Sequence, residues 1–189
     1  FDMPFDDNKN GKVDAGEYAP FNIQALKTPD EKNHLFVAYA KTQTCPAEEI
    51  AKKTCKEGEL FVGEEDNSVP EVGRIAEFTE KGALVKIWPD HGKLSAPWGF
   101  AFAPQNWGQF SGALLVSNLG DGTIAAYDTA NNAFIDYIRD AKGNPIKNDK
   151  IWGILFGNGE SLGDKDALYF AAGPEDETHG VFGSIRPIR

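Results

Sequence analysis

The sequence is poor in several residue types, and each shortage narrows the reading. It has one methionine, three histidines and two cysteines in 189 residues. No stretch approaches the ~20 consecutive apolar residues of a membrane-spanning helix. No signal peptide is visible, and Phe1 is not an initiator methionine, so the chain reads as processed, truncated or taken from a longer precursor. Runs of Ala, Leu, Glu and Lys are scarce, which argues against a helical bundle. Positive charge is short: 19 Lys and Arg stand against 29 Asp and Glu, a net charge of −10. Such a surface repels phosphate backbones and anionic lipid, so neither nucleic acid nor membrane is expected as a partner. Gly157–Gly163 holds glycines, but without a following Lys-Ser/Thr or a βαβ context it is not a phosphate loop. No Ser-His-Asp set can be justified from the sequence.

What is abundant points to strands and turns. There are 20 glycines, 11 prolines, 13 phenylalanines and four tryptophans, as expected for aromatic-rich strands joined by tight turns. Hydrophobic residues make up 41% and charged residues 25%, the composition of an ordinary globular chain. A chain of this size buries roughly 70% of its unfolded surface, enough for a sizeable core.

Self-comparison is the most productive step. Ala96–Phe102 (Ala-Pro-Trp-Gly-Phe-Ala-Phe) returns as Lys150–Phe156, and Gly112–Val116 returns as Asp166–Phe170, both at an offset of 54. Weaker third copies stand at Ala19–Ile23 and His34–Tyr39, 77 to 79 residues upstream of the middle unit. The middle unit holds four β-prone runs, Trp98–Ala103, Ala113–Asn118, Thr123–Asp128 and Ala133–Ile138. Asn118–Gly122 supplies turn chemistry, because Asn, Asp and Gly tolerate positive φ. Four antiparallel strands per ~50 residues, repeated, is the pattern of propeller blades. The first unit places strands at Phe21–Leu26, His34–Ala40, Gly73–Phe78 and Ala83–Trp88. The third has Trp152–Phe156, Ala167–Ala172 and Gly180–Arg186, and no fourth.

The expected fold is therefore all-β: three blades of a six-bladed β-propeller, the last without its outer strand. A leading segment over 1–20 precedes a blade at 21–90 with an insertion at 41–72. A second blade follows at 91–140 and an incomplete third at 141–189. Three blades leave sheet edges and half a channel open. A partner is expected, either an N-terminal half-propeller chain or a second copy of this one.

Five ordered phrases carry a resemblance: Glu17–Gln24 (Glu-Tyr-Ala-Pro-Phe-Asn-Ile-Gln), His91–Gly99, Gly112–Ile124, Trp152–Gly159 and Ala172–Gly183. Together they resemble the secreted, PEP-CTERM-associated family of conserved hypothetical bacterial proteins. That resemblance implies an NHL-like six-bladed propeller outside the cytoplasm, extracellular or periplasmic. It implies no reaction, since the family has no settled activity. Family members are about twice as long, and the match is to their C-terminal half. The chain departs from the family in the longer Lys41–Val72 connection and in the segment before Tyr18.

That leading segment holds the sharpest chemical signal. Asp6-Asp7-Asn8-Lys9-Asn10-Gly11-Lys12-Val13-Asp14-Ala15-Gly16-Glu17 matches a calcium loop position by position. Asp6, Asn8 and Asn10 offer side-chain oxygens at positions 1, 3 and 5, and Gly11 permits the sharp turn at position 6. Lys12 offers its carbonyl at 7, Asp14 a direct or water-mediated ligand at 9, and Glu17 a bidentate carboxylate at 12. Ca²⁺ takes six to eight hard oxygens, and this spacing converges them. The alternative is an acidic, Asn-rich turn that binds nothing. Pro4 and Pro20 bracket the loop, so a two-helix regulatory EF-hand is not expected; a static structural Ca²⁺ is.

Strand alternation places the calcium loop, the cysteine insertion, His91, Asn118–Asp121 and Asp176–His179 on one face. His91, His179, Asp176 and Glu177 could there serve a metal-dependent lactonase-like hydrolase. The competing reading is that such residues bind turn backbones and hold blades in register. A carbohydrate-binding lectin using exposed aromatics is a further alternative. Trp98 and Trp152 occupy equivalent positions and are expected to pack between blades. Trp88 and Trp107 fall outside the repeat, and His34, just before a strand, is expected at the surface. Cys45 and Cys55, with nine residues between them, suit a local disulfide; two reduced thiols are the alternative. Glu48–Lys53 is expected to form a helical turn or two, with acid four residues before base.

Overall fold

A computed structural model describes residues 3–62, 73–175 and 177–187. The protein is all-β, built from three antiparallel sheets, none closed on itself. The first contains β1 (Tyr18–Lys27), β2 (Asn33–Thr44), β3 (Leu60–Val62), β4 (Gly73–Thr79) and β5 (Leu84–Trp88), in the order β1-β2-β4-β5 with β3 paired to the end of β2. The second is the meander β6 (Pro97–Phe102), β7 (Leu114–Asn118), β8 (Ile124–Tyr127) and β9 (Phe134–Tyr137). The third is β10 (Ile151–Phe156), β11 (Leu168–Ala172) and β12 (Val181–Ile185). The eleven strands expected from the repeat all form, with ends shifted by up to four residues.

The sheets stack in chain order. Phe36, Ala38, Ile75 and Trp88 of the first sheet pack on Leu114, Val116, Ala125 and Tyr127 of the second. The opposite face of the second sheet, with Leu115, Ile124, Ala126 and Ile138, packs on Ile154, Leu168 and Phe170 of the third. A sheet covered on both faces has no solvent side, so Leu114-Leu115-Val116 reads as a continuous apolar run instead of alternating.

The first strands of the three sheets lie side by side. Asn22 Nδ2 donates to Trp98 O at 2.8 Å, and Gln24 Nε2 donates to Phe100 O at 2.8 Å, so β1 and β6 run in the same direction. Ser117 Oγ accepts from Gly99 N–H at 2.8 Å and donates to Trp152 O at 2.5 Å, joining the second sheet to the third. A Cβ on Gly99 would stand 2.7 Å from Trp152 O. The close passage of two backbones requires glycine there.

The insertion is more ordered than a solvated loop. Beyond Lys41, β2 continues and pairs with β3, Thr42 opposite Val62 and Thr44 opposite Leu60. The hairpin they form carries the expected helix, α1 (Ala47–Lys52), which ends at Lys53 with φ of 63°. A Cys45–Cys55 disulfide closes it, with Cα atoms 6.1 Å apart. Residues 63–72 of the expected insertion lie outside the described residues. Among the described residues, no helix is long and apolar enough to cross a membrane.

Candidate functional site

Residues 6–17 wind into a loop directly before β1, with no flanking helix among the described residues. Asp6 caps the turn, its Oδ1 accepting from Asn10 N–H at 3.1 Å and its Oδ2 from Gly11 N–H at 2.8 Å. Gly11 has φ of 77°, a conformation that β-carbon-bearing residues resist. Asn8 Oδ1 and Asn10 Oδ1 each take the backbone N–H two residues on. Glu17 is buried, and its two carboxylate oxygens accept from Asp7 N–H at 3.0 Å and Asp14 N–H at 2.8 Å.

The side chains at positions 3, 5 and 9 converge. Asn8 Nδ2 and Asn10 Nδ2 both donate to Asp14 Oδ2, at 2.7 and 2.8 Å. These bonds, that from Asn8 first, hold the Asp14 carboxyl below the usual carboxylate range. Two amide donors thus stand against a carboxylate that a hard dication would otherwise face. Asp6, Asn8, Asn10, the Lys12 carbonyl, Asp14 and Glu17 form an all-oxygen set with three carboxylates, the donor chemistry calcium takes. Yet no three His, Cys, Asp or Glu side chains among the described residues are gathered into a metal-holding group. Any ion here would need the Asn and carbonyl oxygens.

The loop is anchored from a distance. Gly16 N–H donates to Thr42 O at 2.9 Å, and Thr42 N–H donates to Glu17 O at 2.8 Å. The buried Thr42 hydroxyl lies 2.8 Å from Asp14 O and 3.0 Å from Glu17 O. Thr42 belongs to the insertion, so its part in seating the loop has no local sequence signal.

The remaining candidates are dispersed. His91 is exposed at φ of 54°. His179 is exposed and pairs with Glu175, Nδ1 to Oε2 at 3.1 Å, and with the Thr178 hydroxyl. Glu177 is exposed at φ of 64°, and Asp176 lies outside the described residues. The buried polar groups nearby serve turns. Asp90 accepts from Lys93 N–H, Leu94 N–H and the Arg74 guanidinium. Asn118 takes Ser95 N–H and donates to Lys93 O and Thr123 Oγ1.

Phe21, Trp98 and Trp152 line up along the first strands, with ring centroids 4.8 and 6.1 Å apart, though Trp152 is 39% exposed. Trp107 is buried and donates its indole N–H to Asp166 O at 3.0 Å, tying the second sheet to the third. The expectation of a surface His34 is corrected. The ring is mostly buried, with Nδ1 2.5 Å from Oε1 of the buried Glu77. His34 lies inside β2, paired to Thr79, and shares by strand alternation the face of Phe36 and Ala38 that packs on the second sheet. Glu77 Oε2 also accepts the Trp88 indole N–H at 3.0 Å. No sequence motif singled out this group.

No protein-family model matches the chain. Among curated proteins it is similar to two uncharacterised proteins of Acanthamoeba polyphaga mimivirus. Both are 32% identical to it, over 116 and 113 residues, covering 61% and 60% of this chain. The chain spans under a third of the length of either, 30% and 27%.

Proposed function

We propose that the chain is half of an extracellular six-bladed β-propeller, akin to the PEP-CTERM-associated family, with a binding or structural role. It is completed by a second copy of itself or by an N-terminal half-propeller chain, and a structural Ca²⁺ sits in the loop of residues 6–17. The observation that carries this reading is the contrast between two equivalent glycines. Gly99 is forced to be glycine by the neighbouring first strand, which passes its Cα side at Trp152 O. Gly153, 54 residues on, has negative φ, and a Cβ placed on it would meet nothing within 4 Å. A next first strand packed on β10, as β10 packs on β6, supplies the missing reason.

The outer sheet faces agree with that reading. Leu155, Tyr169, Ala171 and Phe182 share the outer face of the third sheet by register, and Phe182 is 77% exposed. On the outer face of the first, Val37, Tyr39, Ala76 and Phe78 are buried with Phe5, Tyr18 and Leu35 packed against them, but their strand neighbours Ile23 and Ile87, paired to Val37 and Ala76, are 56% and 44% exposed. Apolar faces of this kind mark contact with a further element. A head-to-tail pair places the third sheet of each copy on the first sheet of the other and closes six blades with twofold symmetry. The disulfide suits an oxidising compartment.

Native mass spectrometry with and without a calcium chelator tests the reading. A multiple of 20.6 kDa, or a complex with a different chain of similar size, is expected, together with a calcium-sized mass lost on chelation. Gly153→Ala is expected to dissociate the complex while leaving each chain folded. A lone folded 20.6 kDa species sinks the half-ring, and an unchanged mass on chelation sinks the ion.

A further inference from the structure

The Glu77 group sits at the end of the sheets opposite the calcium loop, where the β1–β2 and β8–β9 turns meet. It lines a cavity of about 400 Å³ between the first and second sheets. From these residues we infer a binding site for a neutral, hydroxyl-rich small molecule, a sugar ring, recognised by His34 and Lys86. The site lies within one chain and does not depend on the half-propeller reading.

The buried carboxylate is the first reason. Glu77 is 4% exposed, and burying a carboxylate is expensive even when it is paired. The fold does not demand it. By strand register, the positions of His34, Glu77 and Trp88 correspond in the second sheet to Ala113, Ala126 and Ile138. All three are buried in an apolar core. The same architecture therefore closes without a polar group at this place, and the first sheet carries one.

What Glu77 does is fix a neighbour. Both its oxygens accept: Oε1 faces His34 Nδ1 at 2.5 Å and Oε2 takes the Trp88 N–H at 3.0 Å. A carboxylate accepting at Nδ1 places a hydrogen on Nδ1, and in the neutral ring Nε2 is then a lone-pair acceptor. Nε2 has no partner among the described residues, although no buried side-chain nitrogen or oxygen is left unpaired. It therefore opens to the cavity. Lys86 Nζ stands 3.5 Å from Glu77 Oε2, donates to Asn132 Oδ1 at 2.9 Å and lies over the Trp88 ring, 4.3 Å from its centroid, which keeps the ammonium at the cavity wall. Acceptor and donor side by side suit a hydroxyl, which needs both.

Charge excludes ions. Lys32 and Lys86 offset Asp30 and Glu77, two against two, and Asp30 and Lys32 already pair with each other. The wall beside these polar heads is aromatic, from Trp88 and Phe102. An apolar wall with a few placed polar groups is how small-molecule sites combine affinity with orientation.

The test uses the whole chain and saturation-transfer NMR with glucose, galactose, N-acetylglucosamine and rhamnose at tens of millimolar, with benzoate as the anionic comparison. At least one sugar is expected to show transfer. Loss of one hydrogen bond is worth about tenfold in affinity, so His34→Phe should weaken it by that factor or more. Ala130→Trp, an exposed change at the cavity mouth, should block it without touching the buried group. Long-range ¹⁵N correlation should find the Nδ1–H tautomer at His34, and Glu77→Gln should shift it toward Nε2–H. Four results overturn the inference: no transfer from any sugar, transfer that survives both Ala130→Trp and His34→Phe, stronger transfer from benzoate than from every sugar, or an Nε2–H tautomer in the wild-type chain.

Discussion

Glu17→Gln separates two roles that a single stability measurement would merge. Each Glu17 oxygen accepts one backbone N–H, from Asp7 and Asp14. Glutamine keeps one acceptor and turns an amide N–H toward the other donor, so one bond to a charged group is lost. That loss is worth about 1.5–3 kcal/mol. A chain of this size loses roughly 2–4 °C in Tm per kcal/mol, so the chelated variant should melt of order 5 °C below the chelated wild type. Calcium adds a separate increment, RT ln(1 + [Ca²⁺]/Kd), about 2.7 kcal/mol at a hundredfold excess over Kd. The wild type should then gain roughly 5–10 °C. If the variant's Kd rises to the calcium concentration used, its increment falls to RT ln 2, about 0.4 kcal/mol. Calorimetry on both proteins, with calcium and with chelator, yields all four melting points. Equal wild-type melting points with and without calcium would falsify the ion. An equal increment in both proteins removes Glu17 as a ligand, and equal chelated melting points remove its hydrogen-bonding role.

Gly99→Ala drives a Cβ into Trp152 O at 2.7 Å and Ile154 N at 2.9 Å. Overpacking against backbone that cannot yield should cost about 1–3 kcal/mol, read as a lower denaturant midpoint; an unchanged midpoint refutes the close contact of first strands. Burial pushes the Tyr39 phenol up to about 12 and that of Tyr137, half-buried and facing Asp121 and Asp90, also up to about 12. Folded values above the unfolded ~10 mean that this stability is complete below pH ~10 and fades as pH rises through about 12. Absorbance at alkaline pH should show these tyrosines ionising late, and a single transition near ~10 would contradict it. Replacing Cys45 and Cys55 by Ala removes a short loop constraint worth somewhat under ~3 kcal/mol. Hydrogen exchange should speed in Ala47–Lys52 and leave β7 protected; equal loss in β7 would mean the hairpin and core unfold together.

The strands were legible because the repeat multiplies weak signals. No single unit settles its own strands, but Trp98 against Trp152 and Leu114 against Leu168 align turns and strands at once. The helix at Ala47–Lys52 and the disulfide were legible for a local reason, since each is decided within about ten residues. β3 was not legible. Leu60-Phe61-Val62 is three residues long and pairs with a stretch of β2 beyond the repeat boundary. Thr42 escaped for the same reason, because its partners Asp14 and Glu17 lie 28 and 25 residues away.

The proposed calcium loop and the His34 cavity differ in how a sequence can announce them. A metal loop is contiguous, so its ligands appear in register within twelve residues. The cavity joins His34 to Glu77 across 43 residues and Glu77 to Trp88 across 11, and no motif spans that. A signal did exist within the repeat itself. Repeats are usually compared for what they share, and shared residues are those the fold needs. Ala113, Ala126 and Ile138 show that an apolar trio suffices where the first unit has His34, Glu77 and Trp88. A position where one unit departs from its sister toward a costly buried charge is therefore more informative about binding than one where all units agree. That contrast draws attention away from the loop-rich end, where Asp90 and Asn118 hold turns, and toward the opposite end.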